Sequence, residues 1–175
     1  IMIPLIADKK ELDFVKSYLN EHIQCLFNEY EQKPYPYEIG TMIELPRACL
    51  TADKLAQEAD FFSFGTNDLT QMTFGFSRDD IGKFIGHYKK KGILSSDPFQ
   101  NIDKDGVGEL MRIAVSKARQ VKPNLSIGIC GEVGGDPSSI SFFQDIEVTY
   151  VSCSPYRVPA ARLAVAQAVL QEGKN

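Results

Sequence analysis

The 175-residue chain is short of several things, and each shortage removes a class of function. Histidine occurs only twice, at His22 and His87. His22 falls in a helical stretch and His87 in an irregular one, both away from any strand tip, so a Ser-His-Asp mechanism has little support. The four cysteines, Cys25, Cys49, Cys130 and Cys153, contain no C-x-x-C pair, which argues against a zinc knuckle. They stand far apart among apolar neighbours, the distribution of free thiols in a reducing, cytoplasmic setting. No apolar run approaches the ~18 residues of a membrane span, and no signal-peptide pattern is visible. Positive charge is not in excess: 19 Lys and Arg against 23 Asp and Glu leave a net charge of −4 and a pI near 5.2. A general nucleic-acid binder would carry a basic face, so no nucleic acid is expected as partner, and no membrane. Lys89, Lys90 and Lys91 fall short of a basic stripe and read as a solvated helix end or loop.

Two motifs fail on inspection. Asn101 to Gly106 matches the first half of a calcium-binding loop, but Arg112 stands where the last, glutamate ligand belongs. The glycines at 128, 131, 134 and 135 do not make G-x-G-x-x-G, so no dinucleotide fingerprint is present. Asn124-Leu125-Ser126 matches a glycosylation sequon with nothing else to suggest secretion.

What is present is an alternation of short apolar runs with amphipathic stretches. Strands are predicted at Ile1–Ile6, Ile39–Glu44 (closed by Pro46), Phe61–Phe64, Leu125–Cys130 and Val148–Cys153. Helices are predicted from Asp8 to about Tyr30, with the stripe Leu12, Val15, Leu19, Ile23 and Leu26. Others run from a Thr51 cap to about Ala59, from Gly106 to about Val121, from Pro137 to about Gln144 and from Val158 to Leu170. Leu69 to Phe99, with four glycines and a closing Asp-Pro, reads as a long excursion with short helical pieces. This β-α rhythm implies an α/β fold with parallel strands. Five units fit either a doubly wound sheet or part of a (β/α)8 barrel. A whole barrel takes ~250 residues, so about three strands would lie upstream of the abrupt apolar start at Ile1.

Polar groups gather at the predicted strand ends, where parallel folds bind ligands. The second strand ends in Glu44, the third in Asn67-Asp68, the fourth in Cys130 and the fifth in Ser152-Cys153-Ser154. Two carboxylates from neighbouring tips suit magnesium, which takes one or two carboxylates and leaves its other positions to water and substrate oxygens. Each carboxylate alone would read as a helix cap or an ion-pair partner. Cys130 could be a small buried hydrophobe, but its place at a strand tip between glycines suits a proton donor or nucleophile. The other three cysteines read as structural.

Three stretches resemble one family: Gly40-Thr41-Met42-Ile43-Glu44-Leu45-Pro46-Arg47, Phe62 through Gln71, and Gly128-Ile129-Cys130-Gly131-Glu132. They are similar to the C-terminal barrel of the phosphoenolpyruvate-utilising enzymes. Gly65 through Asp80, Gly92-Ile93-Leu94, Asp97-Pro98-Phe99 and Tyr150 through Pro155 narrow the resemblance, which runs from Ile1 to about Gln167. They point to the branch that interconverts ATP, pyruvate and phosphate with AMP, phosphoenolpyruvate and pyrophosphate. A phosphoenolpyruvate synthase-like enzyme, or a non-catalytic dimerisation module, stays open beside it. The resemblance implies strands four to eight of a (β/α)8 barrel across residues 1–175. It implies Mg2+ on Glu44 and Asp68. Asn67, with backbone at Gly65 and Thr66, would hold the carboxylate or phosphate of the substrate, and Met42, Ser63 and Tyr150 would line the same pocket. Cys130 would protonate the methylene carbon of enolpyruvate. The partners implied are pyruvate or phosphoenolpyruvate, a phosphohistidine domain upstream in the same chain (with an ATP-grasp domain), and a second copy joined through the barrel. The arginines that clamp the phosphoryl group would lie upstream too, so the isolated chain is expected to be inactive. Where many relatives carry histidine this chain has Val133, which is given no chemical role.

Overall fold

The computed structural model describes residues 1–172. Its single sheet has the strands β1 (Met2–Ile3), β2 (Gly40–Ile43), β3 (Phe61–Gly65), β4 (Ser126–Cys130) and β5 (Tyr150–Val151). All pairs are parallel, and the strands lie side by side in chain order. That order separates the two arrangements left open by the β-α rhythm. A doubly wound sheet reverses its strand order at a switch point, whereas in a barrel each strand sits beside its predecessor. The chain is therefore an arc of a (β/α)8 barrel.

Strand residues alternate between two faces. Ile43, Phe62, Phe64, Ile127 and Ile129 point outward and are fully buried under the helices. Against them pack α1 (Lys9–Glu29), α2 (Pro46–Leu50), α3 (Ala52–Ala56), α4 (Thr66–Phe74), α6 (Val107–Val121) and α7 (Pro137–Asp145). The intervening α5 (Ile85–Lys90) lies in the excursion, and α8 (Val158–Glu172) closes the described chain.

Local chemistry explains most element ends. α1 opens on a capping box: the Asp8 carboxylate accepts from the Lys10 N–H, and the Glu11 carboxylate accepts from the Asp8 N–H. The Asp103 carboxylate accepts from the Gly106 and Val107 N–H groups, so the calcium-loop lookalike serves as the cap of α6.

Several sequence expectations change. Pro46 opens α2 at its first position instead of closing a strand, because a proline there gives up an N–H that has no helical partner. Thr51 does not cap with its side chain; its hydroxyl donates to the Arg47 carbonyl, and the helical stretch breaks into α2 and α3 around it. The stripe on α1 ends at Phe27, while Leu26 is exposed; after Ile23 the four-residue step meets the core and the three-residue step does not. β1 stops at Ile3, because Leu5 takes a left-handed φ of 56° that ends the extended run. β5 is only two residues long. The excursion starts later and more regularly than expected. α4 springs directly from β3 at Thr66 and ends on the left-handed Gly75, φ 66°. Beyond it, Phe74, Phe76, Phe84 and Tyr88 stack into a small aromatic cluster. Lys89 and Lys90 form the exposed end of α5, and Lys91 follows as its exposed C-cap.

Candidate active site at the strand tips

The inner face of the arc is built in levels. Registration sets Met42 beside Ser63, Ser63 beside Gly128 and Gly128 beside Tyr150. One level higher, Gly65 is beside Cys130, and Glu44 follows Ile43 at the neighbouring tip. The sequence predicts a third strand ending in Asn67 and Asp68, but β3 stops at Gly65. Asn67 and Asp68 sit instead in the first turn of α4, which fixes both side chains against the strand ends.

Glu44 is 2% exposed. Its Oε1 accepts from the Leu5 N–H at 2.7 Å. A side chain on Gly65 would place its Cβ 2.3 Å from Oε2 of Glu44 and 2.8 Å from Cε of Met42, so only glycine fits between them. Burial pushes the Glu44 carboxyl up from the usual range, the Leu5 N–H opposes this, and the adjacent Asp68 carboxylate adds to it, both by its charge and by a side-chain hydrogen bond. Among the described residues no lysine or arginine pairs with either carboxylate.

Cys130 is half-buried, and its thiol donates to the Phe64 carbonyl at 3.2 Å. Burial pushes this thiol above its usual value; a hydrogen bond from Ser63 lowers it, and the charges of Glu44 and Asp68 raise it. The group is thus a neutral S–H at neutral pH, an acid and not a standing nucleophile. The Thr66 hydroxyl donates to the Cys130 carbonyl at 3.1 Å. Gly131 follows at φ 113°, and a Cβ there would lie 2.4 Å from the same hydroxyl oxygen. That close approach is why glycine follows the cysteine.

Glu44, Asp68, Ser63 and Cys130 therefore share one spot, with Met42 and Gly65 beside them. Tyr150 lies on the same face one level down, its ring filling the space over Gly128, and it is 43% exposed. The buried amide oxygen of Asn67 has no protein partner among the described residues, and such an acceptor is costly until water or a ligand meets it. A cavity of about 320 Å³, lined by Asn67, Gly131, Glu132, Cys153, Ser154 and Arg157, opens next to the tips. A larger hollow of about 550 Å³, between Phe74 and Ser139, lies under the excursion and holds none of these groups. His22 and His87 stay exposed on α1 and α5, and Val133 is part of the core.

The donor set suits a hard cation. Two carboxylates crowd together without a countercharge, and a divalent ion would relieve both. No group of three or more His, Cys, Asp and Glu side chains able to hold a metal occurs among the described residues. All four cysteines are free thiols, and Cys25 is exposed, not buried among apolar neighbours. Among the described residues no helix is long and apolar enough to cross a membrane.

Two contacts at the strand tips are not visible in the sequence. One is the Leu5 N–H on Glu44, which depends on a left-handed turn at a leucine. The other is the Thr66 hydroxyl on Cys130, for which the glycine at 131 was the only available signal.

Comparison with known proteins identifies the family. Residues 1–170 match the model of the PEP-binding domain of PEP-utilising enzymes. The chain is 60% identical over 170 residues to pyruvate, phosphate dikinase of Clostridium symbiosum, covering 97% of this chain and 19% of the relative. It is 55% identical over 169 residues to the chloroplastic pyruvate, phosphate dikinase of Mesembryanthemum crystallinum, covering 97% and 18%. The chain thus spans about a fifth of the length of these relatives. Among solved structures, a citrate lyase from Burkholderia xenovorans LB400 superposes with a TM-score of 0.60 at 14% identity, over 94% of this chain and 48% of that one. At that identity the likeness concerns the fold alone.

Proposed function

The chain belongs to the PEP-utilising enzymes as their PEP-binding domain, and from that premise we propose that it serves a pyruvate, phosphate dikinase, binding pyruvate and phosphoenolpyruvate together with Mg2+. The observation that carries this reading is the meeting of Glu44, Asp68 and Cys130 at one set of strand tips.

In this reading Glu44 and Asp68 hold the magnesium ion, which supplies positive charge next to the enol oxygen of the substrate. Asn67 donates from its amide to the carboxylate or phosphate, alongside the backbone at Gly65 and Thr66. Met42, Ser63 and Tyr150 line the floor. The Cys130 thiol gives its proton to the methylene carbon of enolpyruvate, producing pyruvate and a thiolate; in the reverse direction the thiolate takes a proton from the methyl group of pyruvate. Ser63 steadies the thiolate by donating to sulfur, which matches its direction of influence on the thiol. The phosphoryl group reaches the site from a phosphohistidine domain elsewhere in the same polypeptide, and a separate ATP-grasp domain of that polypeptide handles ATP and phosphate. Assembly as a homodimer through the barrel belongs to the same reading, supported by the exposed Leu163, Val169 and Leu170 on α8. Free thiols suit a reducing, cytoplasmic compartment.

The test is Asp68→Ala in the intact polypeptide. Formation of phosphoenolpyruvate from pyruvate, ATP and phosphate should disappear while circular dichroism stays unchanged. An Asp68→Ala protein with normal turnover and unchanged magnesium dependence would overturn the ligand assignment.

A further inference from the structure

The Glu44 carboxylate does not take its orientation from its own strand. One of its oxygens is engaged by the Leu5 N–H, from the turn that follows β1. That turn is unusual in its chemistry. Leu5 is not glycine, yet it adopts φ 56°, and its side chain is 57% exposed. Neither local preference nor burial of the side chain accounts for a left-handed leucine. Something else must hold the backbone there.

The surrounding bonds show what holds it. Arg47, at the start of α2 and three residues past Glu44, donates from Nη1 to the Ala7 carbonyl. Its Nη2 pairs with Asp8 Oδ2 at 2.9 Å. From the other side, Glu11 Oε2 accepts from the Ala7 and Asp8 N–H groups at 2.8 and 3.0 Å. The planar fork of Arg47 thus grips the far end of the turn by carbonyl and carboxylate at once, which a lysine could not do.

We propose that Arg47 is a positioning residue for Glu44: it fastens the Pro4–Asp8 turn so that the Leu5 N–H occupies Oε1. The second oxygen, beside Gly65, is then left for the cation shared with Asp68. This rests on the reading that Glu44 holds a cation. Partners of this outer kind commonly change metal affinity by about 10–100-fold when removed.

The experiment measures Mn2+ binding directly, by the loss of its free-ion electron paramagnetic resonance signal on titration into the intact polypeptide. Arg47→Met should weaken Mn2+ binding about tenfold, and Arg47→Lys should lose less. Leu5→Val, which disfavours a left-handed backbone, should weaken it similarly. Leu5→Asn, which tolerates that backbone, should bind as the unsubstituted protein does. Thermal unfolding of each variant without metal checks that the fold is kept. If Glu44→Gln weakens Mn2+ binding while Arg47→Met and Leu5→Val leave it unchanged, the positioning role is refuted and the cation site stands. If Glu44→Gln itself binds Mn2+ normally, the cation site falls, and the positioning role with it.

Discussion

The outer and inner faces of the sheet use the same strands for opposite ends. Ile43, Phe62, Phe64, Ile127 and Ile129 face the helices, and every one is apolar and fully buried. Their neighbours in sequence, Met42, Glu44, Ser63, Gly65, Gly128 and Cys130, face inward and include a carboxylate, a hydroxyl and a thiol. The outer residues lower the free energy of the fold by leaving water. Inward, Glu44 is buried against Asp68 with no cationic partner among the described residues, an arrangement that costs stability. The lesson is that stability and chemistry are separated by one residue along each strand, so adjacent substitutions should have different kinds of effect.

The largest contrast should appear within β3. Phe64→Ala should cost about 3–5 kcal/mol in urea unfolding, whereas Ser63→Ala next to it should cost less than ~1 kcal/mol and impair turnover instead. Equal losses of stability at both positions would break the distinction. Next is Gly65→Ala. The added methyl would press on Glu44 and Met42, so the chain should fold but lose about 100-fold in activity through displacement of the carboxylate. Normal activity in a folded Gly65→Ala protein would mean that Glu44 has room to spare.

A smaller effect belongs to the outer layer. Burial alone would push the Asp136 carboxyl up, but hydrogen bonds from Ser138, Ser139 and Asn101 outweigh it and hold the group below its usual 3.8. A carboxyl lowered on folding contributes stability above its unfolded value and loses it as pH falls through the folded one. Asp136→Ala should therefore destabilise by about 1 kcal/mol at pH 7, and the difference should shrink below pH 3.8. Stability curves of the two proteins that stay parallel into acid would refute this. The smallest effect is in thiol reactivity. Exposed Cys25 should be alkylated first and Cys49, fully buried with its thiol pushed up to about 12, last, with Cys130 in between. Mass spectrometry of partly alkylated protein gives the order.

How far the sequence could be read follows the same division. The parallel sheet was legible because runs such as Phe61–Phe64 are short, apolar and separated by helical stripes. The gathering of polar groups near the strand ends was legible because Gly65-Thr66-Asn67-Asp68 follows the apolar run at once, although the strand stops at Gly65 and the other three open α4. Strand order was not legible in the β-α rhythm, which is the same in a doubly wound sheet and a barrel; the family resemblance implied the barrel, and the hydrogen-bonded registration bears it out. Pro46 and Thr51 misled because both residues act at either kind of boundary. Leu5 was unreadable locally: its left-handed turn is held by bonds that span 39 and 40 residues, from Leu5 to Glu44 and from Arg47 to Ala7.

Exchange of solvent deuterium into the methyl group of pyruvate, with Mg2+ and the intact polypeptide, tests the inner-face site most directly. The account predicts exchange in the unsubstituted protein and its loss by at least about 100-fold in Cys130→Ala, with Mn2+ binding retained. Undiminished exchange in Cys130→Ala would contradict it.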